Sequence, residues 1–77
     1  YPDNLDLIIY RGIIYKELEN YERALEMANY ILAISDNIGE AYLLRAQIYE
    51  AMGYIEKSQS DKKLAVDKSE ILNKFGI

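Results

Sequence analysis

Apolar residues recur along this chain at helical spacing, in four blocks separated by short polar breaks. In the first block Ile8, Ile14, Tyr15 and Leu18 fall three or four apart or in step with that period. Leu5, Ile9 and Ile13 broaden the apolar surface. The pattern predicts a helix over about residues 4–18, with Asp3 or Asn4 as its cap and Pro2 closing whatever lies upstream. Tyr21, Ala24, Leu25, Ala28, Ile31 and Leu32 predict a second helix over about 21–34, capped by Asn20. Only two or three residues join these helices, so they must run antiparallel as a hairpin.

The cluster Ser35-Asp36-Asn37-Ile38-Gly39 marks the next break. Asn37, three residues before Glu40, has the spacing of a capping box. Tyr42, Leu44, Ala46, Ile48, Tyr49 and Met52 then predict a third helix over about 38–52, with Gly53 as its left-handed stop. A fourth helix is expected over about 54–67, with Ile55, Ser58, Leu64 and Ala65 inward. Its unbroken polar run, Ser58 to Lys63, reads as an outer face that nothing covers. Beyond Ser69, Ile71, Leu72 and Phe75 fit either a continuation of that helix or a short capping helix folded back on the end. The second is the expectation carried forward, as a capping tail over about 69–77.

The blocks repeat. Arg11-Gly12-Ile13-Ile14-Tyr15 returns as Arg45-Ala46-Gln47-Ile48-Tyr49 after 34 residues, and Glu22-Arg23-Ala24 returns as Glu56-Lys57-Ser58. A fixed period of this length with helical patterning marks a helix-turn-helix array. A glycine inside a helix costs about 1 kcal/mol relative to alanine. Gly12 therefore makes sense where another helix passes close by. Small residues at Gly12, Ala24, Ala46 and Ser58 allow close approach, with Tyr15 and Tyr49 filling the gaps between helices.

This pattern resembles the tetratricopeptide repeat, a 34-residue helix hairpin. Counted from Leu5, the first repeat (about 5–38) offers Ile8, Arg11, Gly12, Tyr15, Tyr21 and Ala24 at the consensus places. Counted from Gly39, the second (about 39–70) offers Tyr42, Arg45, Ala46, Tyr49, Ile55 and Ser58. The consensus proline of the last loop is missing from both, where Asp36 and Glu70 stand. Pro2 falls at that place of a repeat that would precede Leu5, so the chain reads as a piece of a longer array. The resemblance implies an all-α fold: two antiparallel hairpins stacked as a short right-handed solenoid, plus the C-terminal cap.

It also implies where function would sit. In the family the first helix of each hairpin lines a concave face that receives partner peptides. Carried over by place, the candidates are Asp6, Ile9, Ile13 and Lys16, then Glu40, Leu43, Gln47 and Glu50. Some members clamp a C-terminal carboxylate with Lys and Asn at two of these places. Here Ile9, Ile13, Leu43 and Gln47 stand there, so that clamp is missing. What remains is an apolar strip edged by acids, fitted to a hydrophobic or amphipathic helix with basic flanks. Alternatively Ile9, Ile13 and Leu43 are covered by further repeats or by a second copy. Two repeats leave both stack ends open, where about three are usual.

Composition narrows the chemistry. The chain has 77 residues, 51% apolar and 29% charged, enough for one small globular domain. Thirteen acids against nine bases give a net charge of −4, which argues against a nucleic-acid surface. The bases gather late: Lys57, Lys62, Lys63, Lys68 and Lys74 read as a solvated face. With no Cys and no His, disulfides, thiolate zinc sites, a histidine base and a cysteine nucleophile are excluded. No Gly-rich phosphate loop or metal spacing occurs, and the glutamates at Glu17, Glu19, Glu22 and Glu26 read as a solvated face. Neither catalysis nor a cofactor nor a metal is expected, and no apolar run approaches a membrane span of roughly 18 residues. The expected partner is a protein or peptide.

Overall fold

The computed structural model describes residues 4–74, with side chains through Lys68. They form four α-helices: α1 (Leu5–Glu17), α2 (Tyr21–Ile34), α3 (Gly39–Met52) and α4 (Ile55–Lys74). No strand occurs among the described residues. The expected turn at residues 1–3 and the apolar role of Ile71, Leu72 and Phe75 lie outside what is described.

Helix starts follow cap chemistry. The Asn4 side chain accepts from the Leu7 amide at 3.3 Å, and Asn20 accepts from the Arg23 amide at 3.4 Å. These bonds satisfy donors that an isolated helix leaves open. The expected capping box at Asn37 does not form. Residue Ile38 is the N-cap of α3, without a side-chain bond, because the helix begins one residue later than that spacing requires. The Asn37 side chain instead accepts from Lys68 Nζ at 3.4 Å.

Helix ends repeat across the 34-residue period. After α1, the Glu19 amide bonds the Lys16 carbonyl at 2.9 Å and the Asn20 amide bonds Tyr15 at 2.8 Å. After α3, Gly53 bonds Glu50 at 3.0 Å and Tyr54 bonds Tyr49 at 2.8 Å. This is the Schellman pairing, which needs a left-handed residue after the helix. Gly53 supplies it at φ 87°, but the first copy uses Glu19 at φ 59°. A non-glycine residue there is strained by about 1–2 kcal/mol. Glu19→Gly should therefore stabilise the fold by about 1 kcal/mol, even after glycine's greater freedom in the unfolded chain is subtracted. Urea unfolding followed by circular dichroism will show the midpoint rise.

The core lies in the seam between the two hairpins. One cluster joins Ala24 and Ala28 of α2 to Leu44 and Ile48 of α3; another joins Ile8, Ile31 and Ala41 from α1, α2 and α3. Burying one Ile or Leu side chain contributes about 1.5–3 kcal/mol. Gly12 is buried where α1, α2 and α3 meet. A Cβ there would stand 2.6 Å from Leu44 Cδ2 and 3.3 Å from Met27 Cβ. Side chains of two other helices, rather than a passing backbone, explain the glycine.

Helix α4 corrects two expectations. It continues through Lys74 instead of breaking at Ser69 into a separate cap, because no Gly or Pro interrupts residues 54–74. Its inward face also differs in part: Ser58 and Ala65 are buried as expected, but Ile55 and Leu64 are not. Ser58, Asp61 and Ala65 form the buried stripe, at i, i+3 and i+7, while Ile55 and Leu64 are exposed. The polar run is thus not wholly an outer face. Ser58 donates its hydroxyl to the Ala46 carbonyl at 2.8 Å, and Asp61, only 3% exposed, meets an arginine.

Candidate partner groove

On α1 the candidates Asp6, Ile9, Ile13 and Lys16 occupy one stripe, at i, i+3, i+7 and i+10. Glu40, Leu43, Gln47 and Glu50 repeat that spacing on α3. The structure brings the two stripes together at both ends. A depression of about 360 Å³ is lined by Asp6, Ile9, Tyr10 and Ile13 with Glu40 of α3. Further along, Lys16 Nζ donates to Gln47 Oε1 at 2.9 Å. Glu40 beside Asp6 and Gln47 beside Lys16 place the N-termini of α1 and α3 at the same end, so the helices run parallel.

The middle of the groove is apolar. Ile9 is half-buried and leans on the Ile8–Ile31–Ala41 cluster, while Ile13 and Leu43 are exposed, Leu43 at 45%. Tyr10, which the repeat places did not pick out, joins the lining because it follows Ile9 and lies three before Ile13. Glu50 is drawn toward α4 by Lys62, whose Nζ lies 3.2 Å from Glu50 Oε2. That pair is open to solvent and contributes little. Asp6 and Glu40 sit in the first turns of their helices, where the helix dipole favours a negative charge. One end of the groove is acidic and the other carries the Lys16 ammonium.

Behind the groove wall, Arg45 ties three helices together. Its Nε and Nη2 donate to the Asp61 carboxylate of α4 at 2.8 and 2.9 Å, and its Nη1 donates to Asn29 Oδ1 of α2 at 2.9 Å. The guanidinium lies over the rings of Tyr42 and Tyr49, 5.7 and 6.0 Å from their centroids. The Asp61 hydrogen bonds raise the Arg45 pKa above its usual value, against the opposing effect of burial. Planar two-pronged pairing of this kind fixes orientation as well as charge. Arg45 was read only as a repeat place. The signal for its partner was the helical register of Asp61, three residues after inward Ser58.

Among the described residues no group of acids could hold a metal ion, and no helix is long and apolar enough to cross a membrane. A second hollow, beside Tyr49, Lys57 and Asp61, is furnished from within the chain. Lys57 Nζ lies 5.6 Å from the centroid of Tyr49 and 5.4 Å from that of Tyr54, and Arg45 neutralises Asp61. Together these features define an all-α protein of four packed helices with a shallow, part-apolar groove between two parallel ones. Comparison with known protein families, curated proteins and solved structures finds no match to this chain.

Proposed function

We infer that this chain is a tetratricopeptide-type module that binds a partner protein through the groove between α1 and α3. The observation carrying the reading is the side-by-side placement of the Asp6–Ile9–Ile13 stripe and Glu40 around one depression, with Leu43 exposed on the same stripe of α3. The repeat reading is supported by the matched Schellman ends 34 residues apart. It also draws on the small residues at the helix crossings and on α3 packing against both α1 and α2. An amphipathic helix laid in this groove would bury its apolar face on Ile13 and Leu43. Its basic flank would meet Asp6 and Glu40.

The reading is tested with a fluorescent synthetic helix carrying leucines at i, i+3, i+4 and i+7 and lysines at both ends, against a scrambled control. Anisotropy should rise with the wild-type chain. With Leu43→Asp it should not rise, while circular dichroism stays helical because Leu43 is already half in water. A helical Leu43→Asp that binds as tightly as wild type removes the groove from the account. Unfolding of that variant would make Leu43 a core residue.

A further inference from the structure

The two ends of the groove are furnished differently. At one end Lys16 donates to Gln47 and Glu50 pairs with Lys62, so the charges there are met from within the chain. At the other end stand Asp6 and Glu40, which hold the same place in the two repeats, thirty-four residues apart. Both are exposed and line one depression of about 360 Å³. Among the described residues neither carboxylate has a hydrogen-bond or ion-pair partner. Lys68, which α4 brings toward this end, is taken up by Asn37, three residues before Glu40.

The rest of the depression is not acidic. Ile9 and Ile13 supply aliphatic surface, and Tyr10, 63% exposed, supplies an open aromatic ring. Carboxylates from two helices beside such a surface suit a cation on a long apolar stem. A lysine ammonium is a compact, strongly hydrated charge with no plane to lay on a ring. A guanidinium is planar and more weakly hydrated. Its five donors form a fork that turns toward carboxylates while its face lies on an aromatic ring. The molecule already holds one arginine in this way. Arg45 forks onto Asp61, with its guanidinium 5.7 and 6.0 Å from the ring centroids of Tyr42 and Tyr49. The acidic end of the groove has the carboxylates and the tyrosine without the arginine.

We propose that the partner of this groove is a helix that bears an arginine, whose guanidinium sits between Asp6 and Glu40 on the Tyr10 ring. Its stem lies along Ile9, and apolar residues about one turn away fall on Ile13 and Leu43. This rests on the groove reading above and adds which side chain the acidic end selects. Asp6 and Glu40 set the preference for a cation, and Tyr10 sets arginine over lysine.

The test uses one fluorescent helix with leucines at i, i+3, i+4 and i+7 and a single variable residue one turn beyond them, made with that residue at either end. The residue is arginine, lysine, citrulline or glutamine; citrulline keeps the shape of arginine and removes its charge. Anisotropy titrations of the wild-type chain should rank arginine first, lysine about threefold weaker, and citrulline and glutamine about tenfold weaker. Asp6→Asn with Glu40→Gln should bring all four to the affinity of the glutamine helix, with circular dichroism unchanged because both side chains are exposed. Tyr10→Leu should keep the preference for a cation and lose the lead of arginine over lysine. Glu22→Gln, at an exposed acid of α2 outside the groove, should change nothing. If all four helices bind wild type equally and still need Leu43, the groove stands and the arginine site falls. Lysine equal to arginine overturns it too, as does a lead of arginine that survives Asp6→Asn with Glu40→Gln. Binding of none of the helices removes the groove reading and the arginine site together. A wild-type mass that doubles with concentration, and stays monomeric in Leu43→Asp, would make a second copy the occupant and also overturn it.

Discussion

Arg45→Met should cost the fold about 3 kcal/mol, among the largest effects of any single substitution here. The methionine replaces most of the arginine's apolar stem, so lost packing is a minor part. The cost comes from Asp61, whose carboxylate lies buried against the guanidinium. Without Arg45 it keeps a charge with no partner in a place from which water is largely excluded. It must then ionise at a penalty, take up a proton, or pull α4 away from α3. The reverse change should be milder. Asp61→Ala removes the carboxylate from Arg45, but the guanidinium keeps its Asn29 bond and, with the side chain 23% exposed, can turn its charge to water. About 1–2 kcal/mol is expected for it, set by the lost hydrogen bonds. Arg45→Met with Asp61→Met should recover most of the loss, because two apolar side chains of similar length leave nothing unpaired. Chemical denaturation of the four proteins in one double-mutant cycle decides this. Equal costs for the two single changes would show that the pair is effectively solvated.

Gly12→Val should be comparably damaging. Its Cβ alone comes within 2.6 Å of a methyl of Leu44, which must turn within the buried central cluster, and stands 3.3 Å from Met27 Cβ on α2. Overpacking of this kind costs about 1–3 kcal/mol, and the added methyls of valine press further against Met27 and Leu44. Gly12→Ala is the informative comparison. Alanine returns about 1 kcal/mol of helix propensity while meeting the same first contact, so its net loss should be only about 1 kcal/mol. A domain of this size holds only a few kcal/mol in all, so Gly12→Val should be largely unfolded at 37 °C while Gly12→Ala keeps its fold. Thermal melts by circular dichroism will separate them. A stabilised Gly12→Val would mean that α1 and α3 can slide apart without loss.

These two sites also show which parts of the structure could be read in the chain. Gly12 was legible because a glycine in a helical pattern is costly and needs a reason, and the reason found is close packing. The spans of α1, α2 and α3 were legible for a similar cause. Asn4 and Asn20 cap, Gly53 stops, and each acts on neighbours a few residues away. The Arg45–Asp61 pair was hidden because its partners are sixteen residues apart on different helices. A polar run gives no sign of which member turns inward until the phase of α4 is fixed. The same phase error put Ile55 and Leu64 in the core. Asn37 failed as a cap by one residue, a scale at which spacing does not discriminate. For the groove, repeat places named Asp6, Ile9, Ile13 and Glu40 together. Tyr10, next to Ile9 and three before Ile13, was missed because it is not a repeat place, and Glu50 was drawn aside by a lysine on α4.

Among the described residues, helix α3 alone touches all three other helices, and no contact joins α1 to α4. The molecule therefore opens in pieces rather than all at once. Either outer helix can fray while α3 stays seated on its remaining neighbours, and most contacts that must re-form are close in sequence, which keeps closure fast. One bank of the groove, α3, is then fixed. In the groove proposed above, the other bank, α1, is the one with fewer neighbours to hold it.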